Sequence, residues 1–344
     1  VKITVLMGGT SAERNVSLAT GWGIARALGA KGHEAVAVDA AGGRLIPETD
    51  GGTGSIGREP PDSGELSKLD TGQLACRLED LAEFAGTAAI FVALHGGAGE
   101  DGRIQAILDL MGFPYTGSGP LGSALAMDKL VSKELFRDGG IRTPAWLVGA
   151  VDAAAVEKEL GGFPVVVKPS HEGSTVGISV VKRPEQLRGA LAEASHFAGP
   201  PMVEQFIAGR EVAVGVLGEE ALPVVEIRPS HEIYDYECKY TKGMSEYEVP
   251  APLSEECTAE LQDLAVRAHR VLRLSAYSRL DFRIDESDRP WCLEANSLPG
   301  MTATSLLPKA AAAAGLGFED LCERIVRLAL ERAGAVGSST VVGG

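Results

Sequence analysis

Aromatic residues are scarce in this chain: Phe, Trp and Tyr together make up 5% of its 344 residues. Cysteine is scarce too. The five (Cys76, Cys238, Cys257, Cys292 and Cys322) are odd in number, scattered, and include no C-x-x-C pair. That spacing excludes a disulfide framework and a zinc ribbon, and it suits a reducing cytoplasm. Positive charge is in deficit: 32 Lys and Arg stand against 47 Asp and Glu, for a net charge of −15. A field of that sign repels nucleic acid, so no polyanionic partner is expected. No apolar run reaches the roughly 18 residues that a membrane span needs. The opening Val1–Met7 reads as a strand running into glycines, not as a signal peptide. Internal repeats are absent.

What remains is an ordinary globular composition, 45% hydrophobic and 23% charged, at a length suited to two or three domains. The first stretch alternates strand and helix: strand Lys2–Met7, helix Val16–Ala30, strand Glu34–Asp39, strand Ala88–Leu94, then helix Gly102–Met111. That order predicts a parallel α/β sheet with ligands at the carboxyl ends of its strands. The Gly- and Pro-rich positions after Asp39 read as a surface excursion. A second module starts near Met127, with strands Phe163–Pro169 and Ile178–Val181. A third starts near Met202 and closes with a helix Phe318–Arg332. The expected division is 1–125, 126–201 and 202–333, followed by a frayed tail at 334–344. The fold class is α/β at the start and α+β in the later modules.

The most informative segment is Arg279–Asn296. Leu280, Phe282 and Ile284 alternate with polar residues, as do Trp291, Leu293 and Ala295, with a tight polar turn between. This is a β-hairpin pattern. Its natural register sets Asp281 opposite Glu294 and Arg279 opposite Asn296. Two carboxylates facing each other destabilise a bare sheet. Mg²⁺ reverses the sign, because it takes one or two carboxylates together with substrate phosphates. The alternative is a solvated face on which Arg279 and Arg283 neutralise the acids.

Other segments carry chemistry more weakly. Gly8–Arg14 follows the first strand and precedes a helix, where backbone N–H groups can face an anion. A dinucleotide fold with Asp39 as ribose ligand is one reading, but the G-x-G-x-x-G spacing is missing and Glu13 would repel a pyrophosphate. Glu13 suits a substrate ammonium better. Lys168 ends an apolar strand, where it either snorkels to water or meets a phosphate. The loop Pro169–Gly177 has the glycines and hydroxyls to close over a triphosphate. Glu204 and Glu211, seven positions apart across a strand–turn–strand, offer acceptors for ribose hydroxyls or are plain turn acids. Tyr234–Tyr240 concentrates aromatics and charge in one polar segment.

Taken together, GGTSAERNVSL (8–18), ALHGGAGEDG (93–102), PYTGSG (114–119), MDK (127–129), VVKPSHEGSTVG (166–177), YDYECKY (234–240), RLDF (279–282) and LEANSLPGMT (293–302) resemble the D-alanine–D-alanine ligases of the ATP-grasp superfamily, in family order over about 1–330. The resemblance implies an ATP-grasp fold, with nucleotide held between the central and C-terminal modules. It implies two Mg²⁺ ions, with Mn²⁺ as a substitute, on Asp281, Glu294 and Asn296. It implies ATP phosphates on Lys129, Lys168 and Lys239, the adenine edge at Glu204 and Ile207, and the ribose at Glu211. Glu13 would orient the first D-alanine and His95 would lie beside its carboxylate. Ser174 and Tyr240 would link two loops that close over the site. Arg279 and the Gly300 N–H would stabilise the oxyanion, and Ser305 and Leu306 would receive the second substrate. A homodimer joined through the first module is implied as well.

Departures from the family pattern flank the nucleotide: His171 stands where arginine is frequent, and Gln205 where lysine is. A D-alanine–D-lactate ligase is the nearest rival, and Tyr240 argues against it. A D-alanine–D-serine ligase would want a polar residue near Leu306. A non-catalytic nucleotide-binding regulator would be expected to lose a metal ligand or Arg279, and neither is lost.

Overall fold

The computed structural model describes residues 1–41, 44–45, 84–173, 177–231, 234, 238, 241, 243–302 and 305–339. Most of the surface excursion, 46–83, therefore lies outside the described residues, as do 340–344. The described chain forms three sheets.

The first sheet has the order β3-β2-β1-β4, with β1 Lys2–Met7, β2 Glu34–Asp39, β3 Arg44–Leu45 and β4 Ala89–Val92. β1 runs parallel to β2 and β4, and β3 is antiparallel to β2. Ile3 to Met7 and all of β4 are buried, as expected of parallel strands covered on both faces. The helix Arg14–Ala30 packs on this sheet. A Cβ at Gly21 would sit 2.6 Å from the Met7 Cβ, so only glycine permits that approach. The last helix, Phe318–Ser339, returns to pack on Arg14–Ala30 and β4, closing the chain back onto its first module. It runs beyond the expected end at Arg332 and takes in the first part of the expected tail.

The second sheet has the order β5-β8-β6-β7, with β5 Trp146–Val148, β6 Val165–Pro169, β7 Ser179–Val181 and β8 Pro201–Gln205. Met202 pairs with Lys168 and Val148, so the strand expected to open the third module hydrogen-bonds within the second sheet.

The third sheet has the order β12-β11-β9-β13-β14, with β10 beside β9. Its strands are β9 Arg210–Leu217, β10 Glu220–Ala221, β11 Val225–Pro229, β12 Ser245–Glu248, β13 Tyr277–Ile284 and β14 Pro290–Asn296. The helix Glu255–Val271 covers one face, burying Leu261, Leu264, Ala265 and Ala268 against Val212, Val214, Leu280 and Phe282. Ser254 caps it by accepting from the Cys257 N–H at 3.2 Å. β8 and β9 are joined by a turn yet belong to different sheets. Gly209, at φ 127°, makes that crossing, and a Cβ there would collide with the Ile284 carbonyl. The cleft between the second and third sheets is thereby opened by the chain path itself.

Candidate active site

The hairpin takes the expected register: Arg279 faces Asn296 and Asp281 faces Glu294. Arg279 grips Asp281 through Nε at 2.7 Å and Nη2 at 2.8 Å, and Asn296 Nδ2 donates to Asp281 Oδ2 at 3.0 Å. Lys129 Nζ lies 3.2 Å from Glu294 Oε2 and donates to the Glu172 carbonyl at 2.6 Å. Each acid thus has its own cation, which offsets the repulsion across the rung. Burial alone would depress the Arg279 guanidinium, but the charge of Asp281 overrides it and raises its pKa.

The strict alternation expected along β14 fails at one point. The register slips between Asp281 and Phe282, so that Phe282 faces Cys292. Cys292 and Ala295 are buried, while Leu293 joins Glu294 on the cleft wall. A bulge adds one residue without altering composition, so the sequence pattern carries no sign of it.

The donor set suits a hard divalent cation. Two carboxylates line one cleft, open enough for them to retain 13% and 24% exposure, and the Asn296 amide is hydrogen-bonded to the first of them. That is the small ligand set Mg²⁺ accepts when phosphates and water complete its shell. Among the described residues there is no cluster of three or more His, Cys, Asp or Glu that could hold a metal ion by itself.

The cleft is walled by Val166, Lys168 and Ile178 on one side and by Asp281, Arg283, Leu293 and Glu294 on the other, with Glu204, Phe206, Ile207 and Glu211 along its floor. Lys168 reaches Glu204 Oε2 at 2.8 Å, a diagonal cross-strand pair between β6 and β8. Arg283 stands opposite Glu211 in the β9–β13 ladder, 3.3 Å from its carboxylate, donates to the Ile207 carbonyl at 3.1 Å and covers the Phe206 ring. Gln205 and Tyr234 also line the cleft. His171 lies 3.3 Å from Asp128 and is hydrogen-bonded to Ser170.

A second concavity sits at the carboxyl ends of β1 and β4. Gly8, Gly9, Ser11, Leu94, His95 and Gly96 line it. Glu13 is buried at the start of the helix Arg14–Ala30. A Cβ on Gly96 would lie 2.9 Å from the Glu13 carboxylate, and one on Gly173 would lie 3.3 Å away, so this acid meets the first-module loop and the central glycine loop together. His95 contacts Thr20 Oγ1 at 3.1 Å and Glu100 at 3.5 Å. Burial pushes its pKa down, but Glu100 and then Glu13 push harder, and the net shift is upward. Asp39 is fully engaged: Arg14 takes both its oxygens, at 2.9 and 2.6 Å, and the Gly9 N–H adds a third bond at 3.2 Å. It braces the glycine turn, and the dinucleotide reading loses its ribose ligand.

A narrow gap is lined by Glu100, Lys129, Glu172, Gly173, Glu294, Asn296 and Ser297; it shares Glu294 with the cleft, and its Glu100 contacts His95 of the second concavity. Gly300 lies just past this strand end; a Cβ on it would be 3.0 Å from Ser305 Oγ. Ser305 Oγ bonds Thr302 Oγ1 at 2.8 Å and stands at the N-terminus of the helix Leu306–Ala313. The Leu306 side chain is buried in the core, among Leu307, Ala310 and Ala311. Ser174, Lys239 and Tyr240 lie outside the described residues.

Comparison with known proteins decides the family. A model of the D-ala D-ala ligase N-terminus matches residues 2–118, and one of the D-ala D-ala ligase C-terminus matches 140–327. The chain belongs to the D-alanine–D-alanine ligase family. A D-alanine–D-alanine ligase of Halalkalibacterium halodurans is 45% identical over 341 residues, covering 96% of this chain and 100% of the relative. One of Geobacter sulfurreducens is 45% identical over 327 residues, covering 94% and 93%. The D-alanine–D-alanine ligase of Bacillus anthracis complexed with ATP superposes with a TM-score of 0.76 at 29% identity, over 98% of this chain and 99% of that one. The ATP-grasp architecture is shared with it.

Within this D-alanine–D-alanine ligase scaffold the sequence reading passed over Lys133. It is fully buried, one helical turn beyond Lys129, and binds Glu204 at 2.5 Å and Thr143 at 2.6 Å. A signal was present. Lys129, Lys133 and Phe136 share one buried face of the helix Lys129–Asp138, which Asp128 caps at 3.0 and 3.2 Å.

Proposed function

We propose that this chain joins two D-alanines into D-alanyl-D-alanine at the expense of ATP, for peptidoglycan precursor synthesis. The observation that carries the reading is the Asp281–Glu294 rung on the wall of the same cleft that Lys168 and Glu204 line. In this reading ATP lies in the cleft, its adenine edge at Glu204 and Ile207, its ribose at Glu211 and its phosphates at Lys129, Lys168 and Lys239. Asp281, Glu294 and Asn296 would hold two Mg²⁺ ions, which when bound offset the triphosphate charge.

The first D-alanine occupies the gap between the two concavities, its ammonium at Glu13 and its carboxylate beside His95. That carboxylate attacks the γ-phosphorus, releasing ADP and forming D-alanyl phosphate. Such a transfer asks the protein for alignment and charge neutralisation more than for covalent chemistry. Holding the reactants in line contributes about 7–11 kcal/mol through proximity. The second D-alanine, seated at Ser305 and Leu306 as free amine, attacks the acyl carbon and expels phosphate. Charge growing on the acyl oxygen meets Arg279 and the Gly300 N–H. Acyl phosphates hydrolyse, so the glycine loop and the segment carrying Tyr240, tied through Ser174, must shut water out.

Product analysis tests this. With ATP and D-Ala, D-Ser and D-Lac offered together across pH, the dipeptide should dominate and gain as pH rises, because the attacking ammonium must lose its proton. A depsipeptide-dominated mixture, or nucleotide binding without any ligation, would reject it. We further propose a homodimer joined through the first module and residence in the cytoplasm; sedimentation at a single-chain mass would remove the dimer. Among the described residues no helix is long and apolar enough to cross a membrane.

A further inference from the structure

One buried carboxylate is bracketed by two lysines. Glu204 Oε1 lies 2.5 Å from Lys133 Nζ and its Oε2 lies 2.8 Å from Lys168 Nζ. Side-chain exposures are 0% for Lys133, 3% for Glu204 and 6% for Lys168, so all three charges are withdrawn from water. Only two of the three reach the cleft: Lys168 and Glu204 line it and Lys133 does not. Lys133 comes up from behind, from a helix outside the sheet. Its ammonium is held by Thr143 Oγ1 at 2.6 Å and lies 5.1 Å from the centre of the Trp146 ring.

We infer that Lys133 is a positioning residue for the nucleotide: it neutralises Glu204 from behind, so that the charge of Lys168 is left uncancelled for the phosphates. The inference rests on the ATP reading above. The arithmetic is simple. A Lys168–Glu204 pair alone sums to zero, and a triphosphate would meet a neutral dipole there. Burial pushes the Lys133 ammonium's pKa down while Glu204 pulls it back up. With the proton held by its bonds to Glu204 and Thr143, the cluster carries one net positive charge, and its cleft-facing cation is Lys168. Lys133 also fixes Oε1, so the carboxylate cannot swing and chelate Lys168 with both oxygens. Burial alone would push the Glu204 carboxyl up; Lys133 and then Lys168 reverse this and hold it below the ordinary range. An ionised Glu204 is thus built in, and only a second cation keeps it from consuming the first.

The test is a charge-neutralisation series on the full-length enzyme: K133M, K133R and K133M/E204Q. KM for ATP, KM for D-alanine and kcat are measured separately, with thermal melting to follow the fold. K133M should raise KM for ATP by about ten- to a hundredfold, the scale of losing one partly screened charge near a polyanion. KM for D-alanine should move little. K133R should restore most of the ATP affinity. K133M/E204Q returns the cluster to one net positive charge and should bind ATP more tightly than K133M does. If K133M does not fold, K133R and the double variant still decide, since the double variant removes the buried acid together with its rear cation and leaves only Lys168, which borders the cleft, without its partner. An unchanged KM for ATP in K133M, equal losses in all three parameters, or a double variant no better than K133M would overturn the inference. A wild-type enzyme that consumes no ATP would instead overturn the reading on which it rests.

Discussion

Asp281 and Glu294 face one another across a single rung of the β13–β14 ladder, yet each leans on a cation from elsewhere: Arg279 two residues along the same strand, and Lys129 from a helix of the preceding module. Opposed acids of this kind would weaken an ordinary hairpin. Here each is paired with a cation and lines a cleft, an arrangement that suits exchange of part of that cationic company for a metal.

E294Q is expected to lower kcat for ATP-dependent phosphate release by about a hundredfold or more, the scale of losing one charge-stabilising group at a phosphoryl-transfer site. Stability should fall modestly, because Glu294 is partly exposed but the Lys129 ammonium it meets is buried. D281N should cost activity similarly and stability more, because it takes the carboxylate from an arginine that grips it with two bonds, both side chains being only 13% exposed. Phosphate release and melting curves on both variants check this. Retained turnover in E294Q would remove Glu294 from the metal site.

His95 should keep its proton above its ordinary range, through Glu100 and Glu13. Its charge therefore persists to higher pH than an ordinary histidine's and is lost as pH rises through the shifted pKa. KM for D-alanine should climb as pH rises through that pKa. In H95N it should be raised about tenfold, the scale of one charge-assisted hydrogen bond, and lose that climb. Initial-rate measurements across pH decide; an identical climb in H95N would detach His95 from the substrate.

His269 offers a stability prediction independent of the active site. Burial lowers its pKa to about 4, and its Nδ1 bonds Ser278 at 2.7 Å. The unfolded chain takes up this proton near pH 6.5, while the folded chain waits until about pH 4. Its contribution to stability is full above that window and drains away as pH falls through it. The amount is about 3 kcal/mol. Urea unfolding at both ends of the window, compared with H269Q, should show that much less acid sensitivity in the variant. Parallel curves would refute it.

Y240F should raise ester formation relative to dipeptide formation when D-lactate competes with D-alanine. Product ratios measure it directly, and an unchanged ratio would take Tyr240 out of the specificity argument.

Much of the fold was legible in the residues. Period-two alternation set the rung that joins Asp281 to Glu294, and the buried run Ile3–Met7 announced a parallel strand. The rest depended on contacts that local pattern does not encode. The bulge at Leu293 inserts one residue into an otherwise regular alternation. Met202 joined the second sheet because its partners, Lys168 and Val148, are set by chain path and not by composition. Lys133 escaped notice because a helical lysine is ordinarily solvated, and only the tertiary approach of Glu204 makes its burial tolerable. Asp39, weighed as a ribose ligand, proved to be the counter-ion of Arg14.

The most direct measurement is calorimetric titration of ATP into the wild-type enzyme and into E294Q, each with and without Mg²⁺. The wild type should bind ATP markedly more tightly when Mg²⁺ is present, and E294Q should lose most of that gain while binding metal-free ATP about as well as the wild type. Equal Mg²⁺ dependence in the two proteins would contradict the account, since the metal would then be gripped somewhere other than the hairpin acids.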